Sequence, residues 1–201
     1  MKRLLDICLS LVGLIILIPI FVCIAFGIAL FMGRPVFFKQ SRLGLKSTVF
    51  TIYKFRTMSN ENGSDSAVLN DEERITALGH FLRTTSADEL PELWNVLRGD
   101  MSLVGPRPLL TEYRSYYSKE QNRRHDVRPG LTGWAQINGR NHISWEERLS
   151  LDVWYVDNQS VCLDVKILVL TLFKVFTREG VYSSRGGLMQ KFQGTKKNCK
   201  N

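Results

Sequence analysis

Residues 7–33 carry no charged side chain, in a chain that is otherwise basic. As one straight helix, at ~1.5 Å per residue, such a run would be about 40 Å long. A hydrocarbon core is about 30 Å thick, so the run is long enough to cross one. Whatever is attached to it therefore works at a bilayer surface. Two details complicate a simple span. Pro19 lies near the middle, where it removes one backbone hydrogen bond and crowds the carbonyl four residues back. Both flanks are also basic, with Lys2 and Arg3 before the run and Arg34, Lys39, Arg42 and Lys46 after it. Positive charge marks the cytoplasmic side. A helix that enters, breaks at Pro19 and leaves on the same face satisfies both observations, and a kinked spanning helix is the plainer alternative. A secretory leader does not fit, because its apolar core is only about 7–15 residues.

The net charge of +8 points to an anionic partner. Nucleic acid, anionic lipid and phosphorylated small molecules all qualify. No acidic residue occurs between Asp6 and Glu61, while Arg34, Lys39, Arg42, Lys46, Lys54 and Arg56 lie in that window. Directly after a membrane segment, such a cluster reads first as a contact with anionic lipid headgroups. For Lys39 and Lys46 a merely solvated loop is the equal alternative. The four cysteines form no CxxC pair, so neither a zinc site nor a disulfide framework is implied, and a reducing cytoplasmic setting suits the domain.

Apolar clustering at 36–38 and 49–55 around the turn-like 44–47 suggests a hairpin. Residues 59–70 read as a polar loop. Helices are expected at about 72–83, 88–97, 110–123, 145–156 and 163–177, with 101–109 and 127–140 irregular because of their prolines and glycines. The last helix has few charges, so it lies either along the membrane interface or against the core. The expected fold is α+β and predominantly helical. It comprises a helix–break–helix membrane element (1–35), a compact cytoplasmic domain with a small hairpin and interfacial amphipathic helices (36–185), and a loose basic tail (186–201).

The densest candidate for chemistry is TSADELPEL at 85–93. Its adjacent acids have an innocent explanation: Ser86 three residues before Glu89 matches a capping box, and first-turn acids suit the helix dipole. The chemical reading makes Asp88 an ionised nucleophile, held charged by a helix N-terminus that also presents N–H groups to phosphate, and Glu89 a magnesium ligand. Mg2+ takes one or two carboxylates plus substrate phosphate oxygens, which a single glutamate matches. Arginines in rigid turns are the second signal. Arg107 lies between two prolines, Arg128 precedes Pro129-Gly130, and Arg140 follows Asn138-Gly139. Fixed guanidinium forks suit a diphosphate. No GxxxxGK[ST], HExxH or GxSxG motif is present, and His80, His125 and His142 are scattered.

Five blocks, in order, resemble one family: KRLLD (2–6), FTIYKFRTM (50–58), TSADELPEL (85–93), LRGDMSLVGPRP (97–108) and RPGLTGWAQ (128–136). The chain resembles the bacterial sugar transferases, monotopic polyprenyl-phosphate phosphoglycosyl transferases, in their minimal catalytic form. The resemblance implies a Mg2+-dependent enzyme that moves a sugar-1-phosphate from a UDP-sugar to undecaprenyl phosphate and releases UMP, the initiating step of a bacterial surface glycan or glycoconjugate. It implies Asp88 as the covalent nucleophile and Glu89 as the magnesium ligand. Lys54, Arg83, Arg107 and Arg140 then serve the phosphates, with Asp152 and Asp164 as further acids near the site; Arg128, from its rigid turn, and Arg56, from the basic window, are added to the phosphate-binding candidates. It also implies a re-entrant helix broken at Pro19, a monotopic place on the cytoplasmic face of the inner membrane, and downstream glycosyltransferases as partners. Family members often carry Ser before that proline, where this chain has Ile18, so no hydroxyl is available there for the freed carbonyls. Two other readings compete. A membrane-tethered nucleic-acid binder is favoured by charge alone and lacks any helix-turn-helix or RNP motif. A non-catalytic scaffold for glycan assembly is the second. The blocks do not name the sugar, the glycan pathway or the oligomeric state.

Overall fold

The computed structural model describes residues 1–59, 74–139 and 143–177, with Phe192 and Gly194. Arg140, His142, the 60–73 segment and most of the expected tail lie outside the described residues. The first helix, α1 (Lys2–Phe31), remains helical through Pro19. It is apolar all round, and Ile15, Ile16, Ile18, Val22 and Phe26 are exposed. A long helix of that kind with little of it covered is what a bilayer accommodates.

One face of it nevertheless packs on the domain along its length, with Gly13 beside Leu93, Leu14 and Leu17 on the main core and Phe21 against Phe55, and polar groups tie both ends. Lys2 Nζ donates to Asp164 Oδ2 (2.6 Å) and to the Val104 carbonyl (3.0 Å). The Asp6 carboxylate, itself buried, accepts from Ser102 Oγ (2.9 Å) and the Leu103 N–H (3.0 Å). At the other end Ile28 is buried, and Arg56 donates to the carbonyls of Met32, Gly33 and Arg34. Those carbonyls lie where a helix runs out of partners of its own.

The hairpin forms as expected and is longer: β1 (Phe37–Leu43) pairs antiparallel with β2 (Val49–Phe55), in the register Phe37↔Phe55 and Leu43↔Val49. The polar residues 39–42 hid the length of β1. Helix α2 (Ala77–Thr84) is capped by the Thr76 side chain and docks on the strand end, with Gly79 so close that a Cβ would stand 1.9 Å from the Thr57 carbonyl oxygen. Helix α3 (Glu92–Arg98) ends at Gly99, whose φ of 94° suits glycine. Arg3 supports that end by donating to the Val96 (2.7 Å) and Leu97 (2.9 Å) carbonyls.

Two irregular stretches turn out to hold a small parallel sheet. β3 (Ser102–Val104) pairs with β4 (Gly130–Thr132). The contact needs glycine, since a Cβ on Gly130 would lie 2.0 Å from the Gly105 nitrogen. The single helix expected over 110–123 is broken into a 3-10 turn (Thr111–Tyr116), the short α4 (Lys119–Asn122) and a second 3-10 turn (Arg123–His125). A Ser118–Gln121 capping box starts α4 and explains the break. The remaining helices are α5 (Trp134–Asn138), α6 (Trp145–Asn158) and α7 (Val161–Thr177). α7 meets the core expectation through Ile167, which is buried, while Val165, Val169, Leu172 and Phe173 are exposed.

The main core joins Ile52, Leu93, Val96, Met101, Val104, Tyr155 and Ile167. A second cluster corrects the loose tail at one point, because Phe192 is buried among Tyr113, Tyr117 and Trp145.

Candidate active site

The residues between α2 and α3 do not form the continuous helix start expected at 88. Ser86 is left-handed (φ 57°) and makes no capping bond, since an N-cap needs extended backbone. Ala87–Glu89 form one 3-10 turn, and α3 begins only at Glu92. Asp88 is thus held on a short strained connection. Ala87 packs, with Phe21, Ile24 and Ala25 of α1, against the buried cluster of Ile28, Phe55 and Leu82.

Around this turn the chain gathers charges from four elements. Lys54 of β2 lies 2.6 Å from Glu89 Oε1 and 3.2 Å from Glu92 Oε1. Arg107 Nη2 lies 2.5 Å from the same Glu89 oxygen. Arg83 of α2 donates to Thr57 Oγ1 (2.9 Å), and its charge lowers the proton affinity of Asp88. The register between β2 and α3 is fixed by buried Asn95, whose amide donates to the Thr51 carbonyl (2.7 Å) and accepts from the Tyr53 N–H (3.2 Å).

The electrostatics separate the three acids. Burial would raise Glu89, but the charges and hydrogen bonds of Arg107 and Lys54 outweigh it and hold that carboxylate well below its ordinary range. Asp88 moves the other way, up to about 6, pushed first by burial and then by the negative charge of Glu89. The expectation that a helix N-terminus lowers its pKa is therefore corrected. A single 3-10 turn supplies little dipole, and desolvation is the larger effect. Asp88 nonetheless remains mostly ionised at pH 7. Glu92 rises to about 7 for the same two reasons, burial and Glu89.

The other expected residues are dispersed. Arg56 is buried and engaged at the end of α1, and Arg128 Nε donates to the Gly99 carbonyl (2.9 Å) at the end of α3. Asp164 accepts from Lys2 and from the Tyr155 hydroxyl (2.5 Å), a clamp on the start of α1. Asp152 accepts from Arg124 Nη2 (2.8 Å). Arg42 turns inward from the expected headgroup cluster to the Gln40 side chain (2.5 Å) and the Pro108 carbonyl (3.3 Å). Arg34, Lys39 and Lys46 remain exposed. His125 is pushed down to about 4 by burial and by Arg124, so it is neutral at pH 7. Sequence reasoning passed over Glu92, Asn95 and Arg124. Only Glu92 left a readable signal, an acid four residues after Asp88.

Among the described residues no group of three or more His, Cys, Asp or Glu side chains surrounds a common metal position. Mg2+ does not require one, since one or two carboxylates plus substrate oxygens suffice. The donors near Asp88 are the carboxylate oxygens of Glu89 and Glu92, the donor chemistry a hard cation prefers. The residues present fit such an ion.

A model of the bacterial sugar transferases matches residues 1–178. The chain belongs to that family. It is similar to an uncharacterised sugar transferase of Bacillus subtilis, 56% identical over 82% of this chain and 81% of that protein. It is 40% identical to the UDP-glucose:undecaprenyl-phosphate glucose-1-phosphate transferase of Escherichia coli, over 90% of this chain and 41% of that one. A galactosyl transferase of Streptococcus agalactiae is 40% identical over 89% of this chain and 43% of its own. The chain thus spans about two fifths of the length of the latter two relatives.

Proposed function

We propose that the protein transfers a sugar-1-phosphate from a UDP-sugar to undecaprenyl phosphate and releases UMP. The observation that carries this reading is the placement of Asp88: a half-buried carboxylate with Lys54, Arg83 and Arg107 about it, one residue from a cluster shared with the membrane helix. The family membership and the activities named for the Escherichia coli and Streptococcus agalactiae relatives support the same chemistry.

In the first step an Asp88 carboxylate oxygen attacks the sugar-proximal phosphorus. The bond from that phosphorus to the bridging oxygen breaks, UMP departs with that oxygen, and a phosphosugar–aspartyl ester remains. In the second step a phosphate oxygen of the lipid acceptor attacks the same phosphorus and displaces the Asp88 carboxylate. Lys54 and Arg107 bind the diphosphate and offset the charge that UMP carries away. Glu89, with the substrate's own phosphate oxygens, would hold Mg2+, which when bound supplies positive charge to the diphosphate. Partial burial of Asp88 removes water from the nucleophile and lessens competing hydrolysis.

The membrane placement follows the same reading. The basic flanks on both sides of α1 and the proline at its middle support a re-entrant course that bends about Pro19 and returns to the same side of the bilayer. The cytoplasmic face of the inner membrane suits the exposed Arg34, Lys39 and Lys46 beside exposed Phe37 and Phe38. Partners in later glycan assembly belong to this reading as well. The test is a screen of UDP-sugars for UMP release with undecaprenyl phosphate and Mg2+. Without the lipid, release should stop near one UMP per protein. An adduct found on a side chain other than Asp88 would defeat the mechanism.

A further inference from the structure

Every carbonyl from Pro106 to Leu109 is tied to the rest of the domain. The Gly130 N–H donates to Pro106 (3.0 Å), Arg124 Nη2 to Arg107 (2.7 Å), Arg42 Nη1 to Pro108 (3.3 Å) and the Leu43 N–H to Leu109 (3.1 Å). Prolines on both sides of Arg107 fix φ and contribute no N–H. The segment is a bracket, and from it Arg107 reaches Glu89.

The tie on Arg107 itself differs from the others because it comes from a buried charge. Arg124 and Asp152 are each 2% exposed. Arg124 Nε and Nη2 donate to Asp152 Oδ2 at 3.1 and 2.8 Å, and Nη2 is shared with the Arg107 carbonyl. A buried ion pair is a poor means of stabilisation, because desolvating both ions can exceed their attraction. Its location directly behind Arg107 gives it a different use. We infer that Arg124, neutralised by Asp152, is a positioning residue: it fixes the Arg107 carbonyl and thereby aims the Arg107 guanidinium at the substrate diphosphate. This deepens the proposed function and rests on its assignment of Arg107 to the diphosphate. Asp152 then acts two links away from the reacting atoms.

The experiment uses the full chain in detergent, with hydrogen-exchange mass spectrometry and calorimetric UDP binding. The variants are Arg107→Ala, Arg124→Lys, their combination, and Asp152→Asn. Lysine keeps the charge but lacks the planar fork that serves carboxylate and carbonyl together. Peptides covering 103–110 should exchange about fivefold faster in Arg124→Lys, while α7 peptides remain as in the wild type. UDP affinity should fall about tenfold in Arg107→Ala and in Arg124→Lys, and no further in the double variant. Additive losses in the double variant, or unaltered exchange at 103–110, would overturn the inference. Should Arg124→Lys fail to fold, Asp152→Asn must show the same local loosening, and its absence would be equally fatal. If the wild type binds no UDP, the substrate reading falls, and the exchange measurements alone decide whether Arg124 holds the bracket.

Discussion

The start of α1 and the turn around Asp88 are both buried polar networks, and they are built on opposite plans. At the start of α1, Lys2, Arg3 and Asp6 meet partners with matched donors and acceptors: Asp164, the carbonyls of Val96 and Leu97, Ser102 and the Leu103 N–H. Around Asp88 three acids crowd two close cations, two of the acids are pushed up in pKa, and Ser86 is left-handed. The first network is satisfied and holds the membrane helix to the domain. The second is frustrated, and frustration of that kind collects where chemistry is done. Buried charge is therefore informative through its mismatch more than through its presence.

The sharpest way to break this contrast is to neutralise one member of each network. Asp88→Asn should lower sugar-phosphate turnover by about 10³-fold or more, as loss of a covalent nucleophile does, without loss of folded stability. Turnover assays paired with thermal melts check both halves. Asp6→Ala should do the reverse. It leaves Ser102 and the Leu103 N–H without their buried acceptor, at a cost of about 1–3 kcal/mol in denaturant titrations, while the correctly folded fraction keeps its kcat. A kcat that collapses with Asp6→Ala in folded protein would erase the distinction.

The pH response sharpens it further. Glu92, raised to about 7, binds a proton more tightly folded than unfolded, so its ionisation removes stability as pH climbs from its ordinary range through 7. Glu92→Gln should therefore raise the melting temperature by a few degrees at pH 8 and by less at pH 5. Equal shifts at both pH values would mean that Glu92 is an ordinary paired acid. Turnover should also fall as pH drops through about 6, where Asp88 takes up its proton. The smallest effect belongs to the exposed lysines. Lys39→Gln with Lys46→Gln should weaken sedimentation with phosphatidylserine vesicles by about 1 kcal/mol per charge, with kcat in detergent unaltered.

Local pattern carried much of this into the sequence. The apolar run, the hairpin turn at 44–47, α6 and α7 all lie where periodicity and turn chemistry put them, because each is specified by neighbours in the chain. What escaped depends on distant partners. β3 and β4 are three residues each and exist by pairing across the chain, so neither has a period to read. Arg56 and Arg42 looked like headgroup contacts because spacing cannot tell an outward arginine from one drawn in by free carbonyls. Asp88 and Glu89 stand out in the sequence by their motif, whereas Glu92 and Arg124 gain their contacts only when Lys54 and Arg107 arrive. The break at Ser118 was legible in principle, from a serine followed three residues later by glutamine.

Ala87 shares its apolar cluster with Phe21, Ile24 and Ala25, which ties the position of Asp88 to that of the apolar helix. A long isoprenoid drawn out of the bilayer would forfeit about 0.8 kcal/mol for each methylene exposed to water. On the proposed reaction, a carboxylate moored to an apolar helix lets such an acceptor offer only its phosphate, so that the tail need not leave the oil.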